Sequence, residues 1–284
     1  MLNLAINHMT APRLSHIELL ELARDTGCVG VEFRTDLGRP LFDGEAPEAV
    51  GQRARDMGLR IVGLSQVYPF NAWSDAIRDE VAALIKTATA CGAETISLIP
   101  RNDGAGLGDG ERQANLRLSM RAIRPMLQDA GMVALIEPLG FLRSSLRSKA
   151  DAVEAIEALD AVGVFRIVHD TFHHYLAGGG PVFPEHTGII HMSGVVDQSL
   201  GMPEIEDQHR VLVDAQDRLG NIDQIERMLT IGYTGPISME AFSPLTHALT
   251  DPAAELARSF EFIRGRLAAL AGTTAMAENI VHTQ

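Results

Sequence analysis

The chain of 284 residues is 46% hydrophobic and 21% charged, which is ordinary for a soluble globular protein. No stretch approaches a membrane-length apolar run, and the formal net charge of −13, with no basic cluster, disfavours nucleic acid and fits small neutral or weakly charged substrates better. The first residues lack the features of an export signal, and the two cysteines, Cys28 and Cys91, are expected to be buried free thiols, so we expect a cytoplasmic protein.

Short apolar runs alternate with amphipathic segments through the first half of the chain. The segment Ser15-His16-Ile17-Glu18 has the spacing of a capping box and predicts the start of the first helix. Gly27, Gly58 and Gly92 fit helix ends, because glycine readily adopts the left-handed conformation found there. The predicted strands cover residues 2–6, 29–33, 60–66 and 95–100, and the predicted helices cover 15–25, 46–57 and 74–90.

The alternation continues in the second half, where irregular segments at 172–186 and 195–219 interrupt it. Helices are predicted at 111–130, 148–161, 221–231 and 252–271, with one short helix within 172–186. Residues 272–284 lack a clear apolar face, so we expect a tail that is disordered or docks on a neighbouring subunit.

Eight strand-and-helix units with short, often glycine-marked turns after the helices indicate a parallel sheet. At this length the pattern predicts one α/β domain over residues 1–271, a (β/α)8 TIM barrel. The alternative, an open doubly wound sheet, leads us to expect a glycine-rich dinucleotide fingerprint after the first strand. Residues 7–12 contain no glycine, which favours the closed barrel.

Four apolar runs of the second half end in a carboxylate or an imidazole. Phe165–Val168 leads into Asp170, and the neighbouring runs lead into Glu137, His191 and Glu240. These residues end the fifth to eighth strands, which are adjacent in a barrel, and the carboxyl ends of all its strands face one rim. One imidazole with three carboxylates suits Mn, Mg, Zn or Co. Taken singly, each residue could instead be a helix cap or a salt-bridged rim residue.

With Asp170-x-x-His173 added, these strand ends resemble the xylose isomerase-like TIM-barrel superfamily of sugar isomerases and epimerases. More narrowly, two later stretches are similar to those of 2-keto-myo-inositol isomerases. The first stretch is Ile190-His191-Met192-Ser193-Gly194-Val195-Val196-Asp197. The second is Asp207-Gln208-His209-Arg210-Val211-Leu212-Val213, and it is followed by Asp217-Arg218-Leu219-Gly220-Asn221-Ile222. The resemblance spans nearly the whole chain.

The resemblance implies that Glu137, Asp170, His191 and Glu240 bind a divalent metal. It further implies that Glu137 and Glu240 act as acid and base on opposite faces of a keto-polyol, and that His173 hydrogen-bonds a substrate oxygen. The chemistry agrees, because moving a proton beside a carbonyl requires a stabilised enediolate and a pair of proton-transfer groups. The family is also compatible with homo-oligomers.

Two positions depart from the pattern of the ketose 3-epimerases in this superfamily. That pattern has a glutamate six residues after the first metal glutamate and an arginine six after the metal histidine, where this chain has Arg143 and Asp197. Arg210 could supply the missing cation, and its alternative is a solvent-exposed salt bridge. Three further candidates for binding substrate hydroxyls, which could equally be scaffolding of the rim, end the second and third strands: Glu32, Arg34 and Gln66.

Four other functions remain open from the sequence. A ketose 3-epimerase or an inosose dehydratase would use the same barrel and metal. A metal-dependent abasic-site endonuclease would need further histidines and carboxylates on the earlier strands, which are sparse here. A noncatalytic sugar-binding protein would be expected to lack one of the strand-end carboxylates, and none is missing.

Overall fold

A computed structural model describes the backbone of residues 2–281 and the side chains of residues 2–270. Eight parallel strands pair in sequence order, and the first strand closes the ring against the last. This confirms the predicted (β/α)8 barrel. The strands are β1 Leu4–Asn7, β2 Gly30–Arg34, β3 Arg60–Val67, β4 Thr95–Leu98, β5 Val133–Ile136, β6 Phe165–Asp170, β7 Thr187–Met192 and β8 Ile237–Met239.

Helices follow the strands and surround the barrel. Seven lie between the first strand and the last, and two follow β8: α1 His16–Asp25, α2 Pro47–Asp56, α3 Asp75–Cys91, α4 Glu111–Ala130, α5 Lys149–Ala158, α6 Thr171–Leu176, α7 Asn221–Thr230, α8 Pro244–His247 and α9 Pro252–Val281. Within the described part of the chain, none of these helices combines the length and apolar character that crossing a lipid bilayer requires.

Local sequence signals explain where several helices begin and end. The side chain of Ser15 accepts a hydrogen bond from the backbone N–H of Glu18, and the Glu18 carboxylate accepts one from the backbone N–H of Ser15. Gly92 ends α3 with φ 73°, a conformation that favours glycine. Gly51 of α2 serves close packing instead, since a Cβ there would lie 2.2 Å from the carbonyl oxygen of Cys91.

The barrel interior explains why the candidate residues share one rim. Buried strand residues that form their own cluster include Leu135, Val168 and Ile189. Side chains two positions apart on a strand point to the same side. The residues two positions beyond these three are Glu137, Asp170 and His191, so the same inward-facing rows continue into polar groups at the carboxyl ends.

Two smaller expectations have different outcomes. Cys28 and Cys91 are both buried and free, as predicted. The expected tail at 272–284 falls on residues whose side chains, and at 282–284 whose backbone, lie outside the described part of the chain, so that prediction stays open.

Candidate metal centre

Four buried side chains from adjacent strands converge at the carboxyl end of the barrel. Each of Glu137, Asp170, His191 and Glu240 offers one donor atom, and these atoms all lie within 4.8 Å of one another. Their side chains are 7% exposed at most. The four residues named from the sequence are therefore brought together.

The ring of His191 is held so that one nitrogen faces the carboxylates. Its Nε2 lies 3.1 Å from Oε2 of Glu32, which is 1% exposed. Its Nδ1 lies 3.3 Å from Oε2 of Glu240 and 3.5 Å from Oε1 of Glu137, and it has no hydrogen-bond partner within the described structure. Glu32 can thus accept the proton on Nε2, which leaves Nδ1 as the donor atom toward the cluster.

Two buried guanidinium groups flank the carboxylates. Nη2 of Arg210 lies 2.7 Å from Oδ2 of Asp170 and 2.9 Å from Oε2 of Glu240, and its Nε donates to the hydroxyl of Ser193. Nη1 of Arg34 lies 2.7 Å from Oε1 of Glu240. The side chain of Arg210 is 1% exposed, so the alternative of a solvent-exposed salt bridge is wrong: the arginine belongs to the site.

The charge balance of the site favours a divalent cation. The fully buried groups are four carboxylates, which include Glu32, and two guanidiniums, Arg34 and Arg210, which leaves two negative charges when His191 is neutral. Buried charge without compensation is strongly unfavourable. Metal–oxygen and metal–nitrogen bonds of about 2 Å also suit donor atoms that lie this close together. The donor set therefore fits a divalent metal.

The same electrostatics separate the pKa values of the two glutamates. Burial and the charge of Glu240 raise the pKa of Glu137. Burial would also raise the pKa of Glu240, but the positive charges of His191 and Arg210 outweigh that effect and lower it. Burial would lower the pKa of His191, yet the carboxylates of Glu240 and Glu32 hold it well above the usual range. The raised pKa values of Glu137 and His191 mean that the cluster holds a proton, which compensates negative charge that a bound cation would otherwise compensate.

A cavity of about 230 Å³ opens beside the cluster, and two of the four donor residues, Glu137 and Glu240, line it. Among the expected substrate-binding residues, those in its wall are Arg34, Gln66, His173 and Arg210. Glu32 does not line it. Its carboxylate contacts His191 and accepts a hydrogen bond from the side chain of Asn7 at 3.3 Å. The sequence left Glu32 either at a substrate hydroxyl or as scaffolding of the rim; its inward position two residues before Arg34 favours the second alternative and places it behind the imidazole.

The cavity wall contains polar residues that the sequence did not single out: Asp36, Tyr68, Asn102 and Asp207. Asn102 matters most, because its Oδ1 is buried and has no hydrogen-bond partner in the described structure. It follows the fourth strand on the same rim, which is the signal that could have identified it.

The residues at the two departures from the epimerase pattern do not themselves line this cavity. Arg143 pairs with Glu206 through two contacts of 2.8 and 2.6 Å, and its guanidinium stacks on Phe141 at 4.1 Å. Asp197 accepts hydrogen bonds from the backbone and hydroxyl of Ser199. Neither arrangement offers a group to the substrate.

Comparison with known proteins gives a family and several similar structures. A model of the xylose isomerase-like TIM barrel family matches residues 20–266. A xylose isomerase domain-containing protein from Salmonella typhimurium is 27% identical with a TM-score of 0.83, over 93% of this chain and 97% of that one. No curated protein matches.

Two further structures share the fold at lower identity. The IolI protein, solved with a bound zinc atom, is 18% identical with a TM-score of 0.81, over 94% of this chain and 98% of that one. D-psicose 3-epimerase from Clostridium cellulolyticum, solved with D-tagatose, is 14% identical with a TM-score of 0.72, over 94% of this chain and 99% of that one.

Proposed function

Because the chain belongs to the xylose isomerase-like TIM barrel family, we propose that it is a divalent-metal-dependent isomerase that interconverts keto-inositols of the 2-keto-myo-inositol class. The superfamily includes sugar isomerases and epimerases, which supports an enzyme. The observation that carries the proposal is the buried group Glu137, Asp170, His191 and Glu240 beside a cavity.

In this proposal the four side chains hold the metal, which is Mn, Zn, Mg or Co. Bound there, a divalent cation supplies Lewis-acid stabilisation for the negative charge that develops on a substrate oxygen. The net buried charge of the site and the free Nδ1 of His191 support this role.

Glu137 and Glu240 are the proposed proton-transfer groups. Both carboxylates line the cavity, so both can reach a substrate lying in it. One removes the proton from the carbon beside the carbonyl, and the other returns a proton to the neighbouring carbon. A pair of carboxyl groups whose surroundings drive their pKa values apart suits such a division of roles.

The remaining cavity residues are proposed to orient a polyol. His173 is buried, and its Nδ1 lacks a hydrogen-bond partner among the described residues, so it can bind a substrate oxygen. Arg210, Arg34 and Gln66 place further donors along the wall. These polar groups suit a hydroxylated substrate.

The experiment that tests the proposal is incubation of protein reconstituted with Zn or Mg with a panel of keto-inositols and ketoses in heavy water. We expect NMR to show solvent deuterium incorporated at one carbon of a keto-inositol, with the ketone moved to its neighbour. A change of configuration alone would indicate a ketose 3-epimerase type of reaction, and loss of water would indicate an inosose dehydratase. Binding without any exchange would favour a sugar-binding protein.

A further inference from the structure

A second cavity, of about 150 Å³, lies between the start of α5 and the segment that contains α6. Of the described residues that line the two cavities, His173 alone is shared. One water molecule needs about 10–15 Å³ by this measure, so the space is large enough for a small ligand. Nothing in the proposed isomerase reaction uses it.

Lys149 is a buried amine in the wall of this cavity. The chain has two lysines, Lys86, which is exposed, and Lys149, which is 9% exposed. Nζ of Lys149 donates to Nδ1 of His174, and it forms no ion pair with any carboxylate of residues 2–270. Burial lowers the pKa of Lys149 to about 7 and that of His174 to about 4, so the imidazole is a neutral partner.

Arg147 is a second cation without a counterion at this cavity. Its Nε donates to the carbonyl oxygen of Gly140 at 3.0 Å, and its Nη2 donates to that of Leu176 at 3.3 Å. Like Lys149, it pairs with no carboxylate in the described part of the chain. Lys149 and Arg147 thus place two basic groups with neutral partners in the wall of one cavity.

The carboxylate of Asp170 lies in the wall of this cavity and forms its hydrogen bonds and ion pair with other groups. Oδ1 of Asp170 accepts hydrogen bonds from the backbone N–H groups of Phe172 and His173. Oδ2 lies 2.7 Å from Nη2 of Arg210. Asp170 therefore forms no ion pair with Lys149 or Arg147, although its negative charge opposes part of the effect of burial on the pKa of Lys149.

Two further features of the wall suit a negatively charged ligand. Helix α5, ten residues long, begins at the cavity, and Ser148, Lys149 and Ala150 line it; the first N–H groups of a helix favour anions. His173, 4% exposed, lines both cavities, and its Nδ1, which has no hydrogen-bond partner in the described structure, can bind an oxygen in only one of them at a time.

We propose that this second cavity binds a small oxyanion, a phosphate or carboxylate group, which pairs with Lys149 and Arg147. A buried cation is tolerated when it is paired and hydrogen-bonded, and an anion here completes both requirements. Lys149 and Arg147, on which the proposal rests, have no role in the proposed isomerase reaction, although Asp170 and His173 also line the cavity.

A thermal-unfolding titration tests the proposal directly. Inorganic phosphate and acetate are added separately to the full chain, with chloride at equal ionic strength as the reference. We expect one of them, at millimolar concentration, to raise the Tm of the wild type and of Lys86→Met, but not of Lys149→Met or Arg147→Gln. A response to phosphate alone identifies a phosphate group, and a response to acetate identifies a carboxylate. A Tm increase of equal size in all four proteins would mean an adventitious ion only and would overturn the proposal.

Chemical labelling supplies a measurement that does not depend on a variant folding. The wild type is treated with acetic anhydride, and acetylation of the two lysines is followed by peptide mass spectrometry. At an anion concentration ten times its Kd, we expect Lys149 to react about tenfold more slowly while Lys86 is unaffected. Equal rates at Lys149 with and without either anion would contradict binding at this amine.

Discussion

The carboxylate of Glu32 lies 3.1 Å from Nε2 of His191 and leaves Nδ1 of that ring facing the proposed metal ligands. Carboxylates that hold a ligand histidine in this way typically contribute 10- to 100-fold to metal affinity. We expect Glu32→Gln to weaken Zn²⁺ or Mn²⁺ binding by about that factor, measured by isothermal titration calorimetry. The exposed Glu80→Gln is the matched control. Wild-type affinity in Glu32→Gln would show that the ring is oriented without this contact.

Replacing Arg210 should leave the negative charge of the buried carboxylates less compensated and so destabilise the protein. In Arg210→Met the carboxylates of Asp170 and Glu240 lose a buried cation, and such losses cost about 3–5 kcal/mol. We expect urea unfolding of the metal-free variant to show a destabilisation of that order. Added divalent metal should restore more stability to the variant than it gives the wild type. If added metal stabilised both proteins equally, the arginine and the metal would not be compensating the charge of the same buried carboxylates.

Replacing Glu240 should reduce turnover without unfolding the protein. Glu240→Gln keeps an oxygen that can accept the hydrogen bond from Arg34 but removes a proton-transfer group. We expect a folded protein whose turnover of the keto-inositol identified by deuterium exchange falls by about 10²- to 10⁴-fold. Circular dichroism checks the fold, and the exposed Glu261→Gln should retain full turnover. Unchanged turnover would exclude the proposed acid–base pair.

The lowered pKa of Lys149 predicts that the free energy of unfolding rises with pH. Burial lowers its pKa to about 7 in the folded protein, whereas in the unfolded chain a lysine titrates near ~10.4. Between these values the unfolded state binds more protons, so the unfolding free energy of the wild type should rise with pH, by at most about 1.4 kcal/mol per pH unit. Lys149→Met should lack this component.

The measurement is urea unfolding of both proteins from pH 6 to pH 10 in a buffer free of phosphate and carboxylate. The difference between the two unfolding free energies isolates Lys149 above about pH 8, where His169 and His174, whose pKa values the amine lowers, are neutral in both folded and unfolded states. A difference that stays constant across the range would mean that the folded-state pKa of the amine is near its usual value.

Two glycines in helices should respond to alanine with opposite signs. At Gly51 a Cβ would lie 2.2 Å from the carbonyl oxygen of Cys91, so Gly51→Ala must push α2 away from α3 and should cost about 1–3 kcal/mol. At Gly265, exposed on α9, a Cβ meets no atom within 4 Å, and Gly265→Ala should stabilise the protein by about 0.5–1 kcal/mol. Urea unfolding of both variants provides the test. A loss of stability in Gly265→Ala would contradict the open space around this position.

The barrel and its four rim residues were predictable because both depend on short-range patterns. Apolar runs such as Phe165–Val168 define strands, and parallel strands bring their carboxyl ends to one rim whatever the detailed packing. The convergence of Asp170 with His191 then needs only the neighbouring order of β6 and β7.

The roles of Glu32 and Arg210 depend on geometry that no local pattern encodes. Glu32 meets His191 across the interior from a strand three places away in the ring, and its register shifts beside β3. Arg210 lies in the irregular segment after β7. Its carbonyl oxygen accepts hydrogen bonds from the backbone N–H groups of Phe242 and Ser243, so a later loop fixes its position. The sequence alone contains neither contact.

The hydrogen bond between β2 and β7 makes the metal donors of the second half depend on the first half of the chain. A fragment that began at β5 would carry Glu137, Asp170, His191 and Glu240, yet it would lack the carboxylate that sets the tautomer of the imidazole and the guanidinium of Arg34. A fragment that contains only the second half of the barrel is therefore expected to carry every coordinating atom and still not form the complete site. Substitutions that accumulate in the two halves should be coupled through the contact between Glu32 and His191.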